Sequence, residues 1–143
     1  MYPEIMVIPM REELTRLGVE ELRSAADVDR FVQNESGTNM LVVNSICGCA
    51  AGRMRPAVRL ALQNAIKPGK IATVFAGQDV EATARARAHF AGYPPSSPSI
   101  AILRDGKVVY MMHRHQIETR DASSIAADLK AAFDQHCAVA AAR

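Results

Sequence analysis

A Cys-Gly-Cys sequence at the predicted joint between a buried strand and a helix constrains this chain more than any other feature. The apolar run over residues 40–43 predicts a buried strand, and the apolar spacing that follows predicts a helix over residues 50–66, kinked at Pro56. Backbone N–H groups at the start of a helix are unpaired and carry partial positive charge. A thiolate placed there is stabilised, so its pKa falls below the usual value of about 8.5. The sequence therefore predicts a reactive thiol pair, Cys47 and Cys49.

The rest of the chain alternates predicted strands with predicted helices. Residues 1–8 are expected to form an arm, Pro9 suits the start of a first helix, and Gly18 suits its C-terminal cap. The further elements are a weak strand at 19–22, a helix from Ser24 to Gly37, strands at 71–76, 99–103 and 107–112, and helices at 80–91, with Asp79 as N-cap, and at 122–136. The alternation implies parallel strands, and an Asp-Gly hairpin turn at residues 105–106 adds antiparallel ones. We therefore expect an α/β fold with a mixed central β-sheet flanked by helices.

Length, charge and hydropathy exclude several classes of protein. The chain has 143 residues, which fits one compact domain. Its 17 basic and 15 acidic residues are too evenly balanced to indicate a nucleic-acid partner. It has neither an apolar run of membrane-spanning length nor the basic start of a secretory signal. We therefore expect a cytoplasmic protein, in which a close cysteine pair is catalytic or metal-binding rather than a structural disulfide.

The spacing of the two cysteines favours redox chemistry. Closing a disulfide between Cys47 and Cys49 requires a sharp bend, which Gly48 permits because it has no Cβ atom. The small ring is expected to be strained, and so more oxidising than thioredoxin at about −270 mV. These properties suit disulfide exchange or isomerisation. Cys47, just before the helix, is assigned as the nucleophile, and Cys49, one position inside and expected to be more shielded, as the resolving thiol.

Two alternatives to redox chemistry remain open at this point. The cysteines are inert core residues in the first, because free cysteine is commonly buried. In the second they bind a metal, although zinc sites usually space paired cysteines as C-x(2–4)-C. The further ligands in that case are one or two of His113, His115, His136 and Cys137. We interpret His113 and His115 instead as a helix-entry turn, and we expect Cys137 to be exposed at the end of the last helix.

Several residues near the cysteines are candidates for supporting roles. Asn44 and Ser45 precede the site and are placed to hydrogen-bond its loop, although turn chemistry explains them equally well. Arg53 and Arg55 are candidates to hold a thiolate or to pair with the carboxylates of a small-thiol substrate. A solvated helix face is the alternative for both arginines.

Pro98 precedes a predicted strand and is the remaining candidate. A cis Ser97–Pro98 bond would leave the Ser97 backbone free to bind an extended peptide or a thiol adduct. A trans proline in a plain loop is the alternative, and the residues alone leave the isomer open.

The order of elements, the position of the cysteines and the proline before the hairpin together resemble thioredoxin. Residues 97–109 look like its cis-proline strand and hairpin, which implies a cis bond at Pro98. The resemblance is closer to the bacilliredoxin family, the Cys-Gly-Cys thiol-disulfide isomerase branch of the thioredoxin-like superfamily. The segments that carry it are residues 42–52, 74–79, 95–99, 114–118 and 133–137.

The resemblance implies a fold, a domain division and an activity. The fold is thioredoxin-like with an extra N-terminal helix: residues 1–18 form an arm and helix packed on a domain of residues 19–137, and residues 138–143 form a flexible tail. Cys47 attacks mixed disulfides between cytosolic proteins and the low-molecular-weight thiol bacillithiol. Cys47 thereby takes up the bacillithiol group, here called the cap. The cap is then released either through attack by Cys49 or by reaction with free bacillithiol, and no prosthetic cofactor takes part.

The sequence as a whole thus gives a set of supporting residues and two alternative functions. The supporting or substrate-binding residues are Gly48, Ser97, Pro98, Asn44 and Arg53. A general protein disulfide isomerase or reductase that uses another thiol is one alternative function. A Cys/His metal-binding module is the other.

Overall fold

Strand β2 (Thr38–Asn44) lies at the centre of the sheet and is buried along its whole length. The structure is a computed structural model that describes residues 1–33 and 37–138. The other strands are β1 (Glu20–Glu21), β3 (Lys70–Phe75), β4 (Ser99–Arg104) and β5 (Lys107–Met112). The strand order is β1-β3-β2-β4-β5, in which β3 is parallel to β1 and β2, and β4 is antiparallel to β2 and β5. The predicted mixed α/β sheet is therefore confirmed.

Helices cover both faces of this sheet. They are α1 (Glu4–Thr15), α2 (Ala25–Val32), a π-helical turn (Ala50–Met54) that leads into α3 (Arg55–Ala61), α4 (Val80–Ala88), α5 (Arg114–Glu118) and α6 (Ala122–His136). Alternate residues of β2 point to opposite faces. Met40 and Val42 pack against the side that carries α3 and α6, whereas Leu41 and Val43 pack against the side that carries α2 and α4.

The first helix begins at Glu4 rather than at Pro9, so the prediction of an arm over residues 1–8 is wrong. Pro9 lies inside the helix, where it lacks an N–H donor. Tertiary contacts outweigh that cost, because Val7 and Leu14 are fully buried and Arg11 binds Glu21 and Asp79, which lie outside the helix. Gly18 has a φ of 89° just after the helix, as its predicted capping role requires.

Arg11 joins the N-terminal helix to the sheet. Its buried guanidinium lies 2.8 Å from Glu4, 2.7 Å from Glu21 and 2.6 Å from Asp79. The carboxylate of Asp79 thus binds Arg11 and makes no side-chain cap, although Asp79 does occupy the N-cap position of α4. Gln78 extends the same contact, since its side chain accepts from Tyr2 N–H and donates to Glu4, both at 2.9 Å.

The helix after the cysteines differs from its prediction in two ways. It starts with a π-helical turn, in which Arg55 N–H bonds to the carbonyl of Ala50, and Pro56 follows at the start of α3. It also ends at Ala61 instead of residue 66. The side chain of Asn64 donates to the carbonyl of Ile66 at 2.9 Å, and such a local side-chain bond competes with continued helix.

The hairpin turn, strand β5 and helix α6 match their predictions closely. Asp105 and Gly106 both have positive φ, of 53° and 78°, as a two-residue turn between β4 and β5 requires. Strand β5 and helix α6 have the predicted bounds.

Helix α2 ends at Val32 rather than near Gly37. Residues 34–36 lie outside the described residues, as do residues 139–143 of the predicted tail. No helix within residues 1–33 and 37–138 is long and apolar enough to cross a membrane.

Candidate active site

The loop that follows β2 places Cys47 against the hydroxyl of Ser45. The Ser45 Oγ donates to Cys47 Sγ at 3.2 Å and accepts from the backbone N–H of Cys47 at 3.3 Å. Ser45 itself is buried, with 7% of its surface exposed, while Cys47 is half-buried. One short loop therefore fixes the sulfur and supplies it with a hydrogen-bond donor.

The surroundings of Cys47 favour its thiolate. Partial burial opposes ionisation, but the Ser45 hydroxyl and the backbone N–H groups of Ala50 and Cys49 more than offset that effect. The positive charge of Arg114 acts in the same direction. The pKa of Cys47 is consequently lowered from its usual value, as the sequence predicts for a thiol at this joint.

Cys49 has the opposite electrostatic character. Burial raises the pKa of its thiol, and the negative charge of Cys47 and the hydrogen bond between the two side chains raise it further. Both cysteines are half-buried and neither forms a disulfide. Exposure therefore does not separate the two thiols, contrary to the expectation that Cys49 is the more shielded. Their ionisation separates them, since charge concentrates on Cys47.

The buried side chains of Asn44 and Arg55 fix the loop that carries Ser45 and Cys47 through hydrogen bonds. Asn44 Oδ1 accepts from Ser45 N–H at 2.9 Å and from Arg55 Nη1 at 3.0 Å, and the same Nη1 donates to the Ser45 carbonyl at 2.9 Å. Arg55 Nε lies 3.0 Å from Glu13 Oε1 as an ion pair without hydrogen-bond alignment. With 2% of its surface exposed, Arg55 is not on a solvated helix face. That expectation is wrong, because the loop carbonyl and Glu13 lie on the inner side of the helix.

The other candidates near the cysteines have less direct contacts. Arg53 Nε donates to the carbonyl of Arg120 at 2.8 Å, which ties the start of the helix to the segment before α6. Gly48 is exposed, and a Cβ atom added there meets nothing within 4 Å beyond its chain neighbours.

The Ser97–Pro98 bond is cis, as the resemblance implies. The carbonyl of Ser97 is not free, because Arg114 Nη1 donates to it at 3.2 Å. Arg114 also donates its backbone N–H to Ser96 Oγ at 3.3 Å. Helix α5 is therefore bound at two points to residues 96–98, here called the proline loop. The proline loop and the start of α5 therefore form one wall of the site.

A cleft of about 310 Å³ opens beside Cys47. Its lining residues come from six separate segments and are Tyr2, Ser45, Ile46, Cys47, Ala76, Gly77, Arg87, Ser97 and Arg114. Sequence reasoning missed Tyr2, Arg87 and Arg114 as site residues. No local pattern marks them, because only the tertiary fold brings the segment before α1, helix α4 and helix α5 to the cysteine loop.

The residues of the metal alternative do not form a ligand set. Within residues 1–33 and 37–138, no group of three or more His, Cys, Asp or Glu side chains is arranged to hold a metal ion. His113 is the N-cap of α5, as expected for a helix-entry turn. Cys137 is buried, with 6% exposed, so the prediction that it is exposed is wrong. Burial raises the pKa of the Cys137 thiol, in spite of its hydrogen bond with Thr38.

Fold and site together define a class of protein. Solved structures with the same fold include thioredoxin from Fasciola hepatica, with a TM-score of 0.57 and 21% identity over 82% of this chain and 99% of that one. Oxidised thioredoxin from Plasmodium falciparum has the same TM-score and 14% identity, over 84% of this chain and 99% of its own. The chain has a thioredoxin-like fold with a cysteine pair at the end of a central strand.

Sequence relatives give the family within that class. The family model described as "Disulphide isomerase" matches residues 2–137. A bacilliredoxin from Koribacter versatilis is 61% identical over 99% of this chain and 97% of its own length, and one from Salinibacter ruber is 55% identical over 95% and 81%. The chain belongs to the bacilliredoxin family and is a thiol-disulfide oxidoreductase.

Proposed function

We propose that this protein removes bacillithiol from mixed disulfides on proteins, with Cys47 as nucleophile and Cys49 as resolving thiol. The observation that carries the proposal is the contact of the Ser45 hydroxyl with the Cys47 sulfur at 3.2 Å, next to the second thiol of Cys49. The directions of the two shifts agree with it, since the pKa of Cys47 is lowered and that of Cys49 is raised. A thiolate attacks disulfides and a thiol does not. The name of the relatives, bacilliredoxin, supports bacillithiol as the small thiol.

The proposed reaction consists of two disulfide exchanges. The Cys47 thiolate attacks the bacillithiol sulfur of the mixed disulfide, the client cysteine leaves as a thiolate, and Cys47 now carries the cap. Cys49 then loses its proton and attacks the Cys47 sulfur. The cap leaves as a thiolate and a Cys47–Cys49 disulfide remains, which an external thiol must reduce. In the alternative second step, free bacillithiol attacks the capped Cys47 and is released as its own disulfide.

Several features of the site are assigned roles in this proposal. Asn44 and Gly48 shape the loop that carries the sulfurs, and Arg53 fixes the start of the helix. The proline loop at Ser97 and Pro98 forms the wall against which the substrate lies. The cycle uses a thiol as co-substrate and needs no prosthetic group. We place it in the cytosol, where small thiols keep cysteines reduced.

The description "Disulphide isomerase" of the matching family model favours a second candidate, a general disulfide isomerase or reductase that uses another thiol. Purified protein should be tested on a bacillithiol-capped client and on scrambled ribonuclease. Faster release of bacillithiol than of glutathione from matched clients, with little ribonuclease reactivation, supports the first function. The reverse result supports the second.

Variants of the three cysteines test the assignment of roles. We expect Cys47→Ser to abolish exchange and Cys49→Ser to accumulate a Cys47–bacillithiol adduct that mass spectrometry detects. Cys137→Ser is the matched control, since Cys137 is buried at the end of α6, and it should retain activity. Accumulation of the adduct on Cys49 in the Cys47→Ser variant would reverse the assignment.

A further inference from the structure

The cleft beside Cys47 carries positive charge on two sides. Arg87 enters from α4 and Arg114 from the start of α5. Among the described residues that line the cleft, these two are charged and none is acidic. Glu118 pairs with Arg114 Nε at 3.0 Å, but it is not part of the lining. An anion next to the Cys47 sulfur would therefore face two guanidinium groups.

Both guanidinium groups are held in place by the proline loop. Arg87 Nη2 donates to the Ser96 carbonyl at 3.5 Å, and Arg114 Nη1 donates to the Ser97 carbonyl at 3.2 Å. Each group keeps further N–H donors, since a guanidinium has five. Arg87 Nε is buried and has no hydrogen-bond partner within the described residues. Positioned guanidinium groups with donors to spare are suited to binding carboxylates.

The N-terminal segment forms another part of the cleft wall. Tyr2 is anchored by its backbone N–H, which donates to Gln78 Oε1 at 2.9 Å. Its ring covers Gly77 so closely that a Cβ atom there would lie 3.2 Å from the ring and from the hydroxyl. Tyr2 and Gly77 both line the cleft. A volume of about 310 Å³ with such a wall fits a small molecule better than an extended peptide.

We propose that this cleft is a carboxylate subsite for the small-thiol cap of the mixed disulfide, and that Arg87 and Arg114 bind the cap. The inference rests on the proposed function and specifies its substrate as an anionic low-molecular-weight thiol. When Cys47 attacks the sulfur of the cap, the new disulfide joins the cap to Cys47, so the rest of the cap lies in the cleft. The client cysteine leaves as a thiolate toward solvent.

Arg87 gives the cleaner test of the two arginines. The charge of Arg114 also lowers the pKa of Cys47, so changing Arg114 alters both nucleophile and subsite. Arg87→Gln removes the charge while keeping a polar side chain. Arg85→Gln is the matched control, because Arg85 lies on the same helix and pairs with Asp29 instead of lining the cleft.

The test measures transfer of three caps from one carrier protein to Cys47 in the Cys49→Ser background. The caps are mercaptosuccinate, with two carboxylates, 2-mercaptoethanol, which is neutral, and cysteamine, which is cationic. Each rate is divided by the rate at which dithiothreitol releases the same cap, which corrects for intrinsic reactivity. We expect mercaptosuccinate to be transferred about tenfold faster than mercaptoethanol after this correction, and cysteamine to be slowest.

The expected effect of Arg87→Gln is a loss of about fivefold to tenfold in mercaptosuccinate transfer, with the mercaptoethanol rate unchanged. Arg87→Lys should recover part of the loss, and Arg85→Gln should behave as the parent protein. The unchanged neutral rate also shows that the variant is folded. Equal corrected rates for all caps, or an equal fall for all caps in Arg87→Gln, would overturn the subsite and leave the proposed function standing. No transfer of any of the three caps, together with no transfer from a bacillithiol-capped carrier, would overturn both.

Discussion

Removing the Ser45 hydroxyl should weaken the Cys47 thiolate more than any other single change outside the cysteines themselves. The hydroxyl donates to the sulfur at 3.2 Å and is held there by a buried loop. Ser45→Ala deletes that donor and leaves the backbone N–H groups of Ala50 and Cys49 in place. The variant therefore separates the contribution of the hydroxyl from that of the helix start.

The magnitude follows from the type of hydrogen bond. Bonds to charged groups contribute about 1.5–3 kcal/mol, and the lower end applies because sulfur is a weak acceptor and Cys47 remains partly hydrated. A loss of about 1.5 kcal/mol corresponds to about a tenfold smaller ionisation constant for Cys47. At a pH well below the pKa of Cys47, its thiolate population should therefore fall about tenfold in Ser45→Ala.

Alkylation by iodoacetamide measures that population, with the Cys47 peptide quantified by mass spectrometry from acidic to alkaline pH. The whole pH profile should move to higher pH in Ser45→Ala, while the alkaline plateau changes little. Ser24→Ala is the matched control, because its hydroxyl caps α2 by accepting from Asp27 N–H at 3.1 Å. It should cost about 1 kcal/mol of stability without moving the profile.

An unchanged profile in Ser45→Ala would refute this reasoning. In that case the backbone N–H groups alone would hold the thiolate, and the hydroxyl would serve only to orient the loop. A profile that moved equally in Ser24→Ala would show that reactivity follows global stability instead.

Three further predictions concern residues that support the site. Arg55→Leu leaves buried loop oxygens without a donor, so the free energy of unfolding in urea should fall by about 2–4 kcal/mol. The control Arg59→Leu, at an exposed position, should lower it by at most about 0.5 kcal/mol. Equal losses in the two variants would contradict a structural role for Arg55. Gly77→Ala, at a φ of 80° and with its methyl group 3.2 Å from Tyr2, should lower the same quantity by about 1–2 kcal/mol and speed amide exchange in α1, and unchanged exchange would contradict the contact. The hydrogen bond from Arg11, with a second from Gln78, lowers the pKa of Glu4. The ionised Glu4 side chain therefore stabilises the fold fully above about pH 4.3, and this stabilisation is lost as the pH falls through the lowered pKa. Thermal denaturation at acidic pH should be less pH-dependent in Glu4→Gln, and an identical pH dependence would refute the linkage.

The parts of the fold that the sequence predicts well depend on local patterns. The run of apolar residues that becomes β2 and the Asp105-Gly106 turn each carry their signal within a few positions. The same is true of the cysteine pair, because its position between a strand and a helix follows from the two periodicities on either side. Local signals therefore suffice for the position of the candidate nucleophile.

The parts that the sequence does not predict depend on contacts between distant residues. Helix α1 starts earlier than Pro9 indicates because Arg11 reaches Asp79, 68 positions away. The carboxylate of Asp79 is then no longer available as a helix cap. In the same way, Tyr2 and Gly77 meet only in the folded chain, so the part of the cleft wall that they form has no signature in either segment.

Two arginines near the loop illustrate why residue type alone does not assign a role. Arg55 is buried, binds neutral oxygens of the loop and lies 3.0 Å from the carboxylate of Glu13, which offsets its charge. Arg114 is exposed on the other side of the loop, and its charge reaches the Cys47 sulfur. The first arginine therefore fixes the geometry that brings the hydroxyl to the sulfur, and the second supplies the favourable field. The two effects act together, because a field stabilises a thiolate only where the loop holds the sulfur within its range.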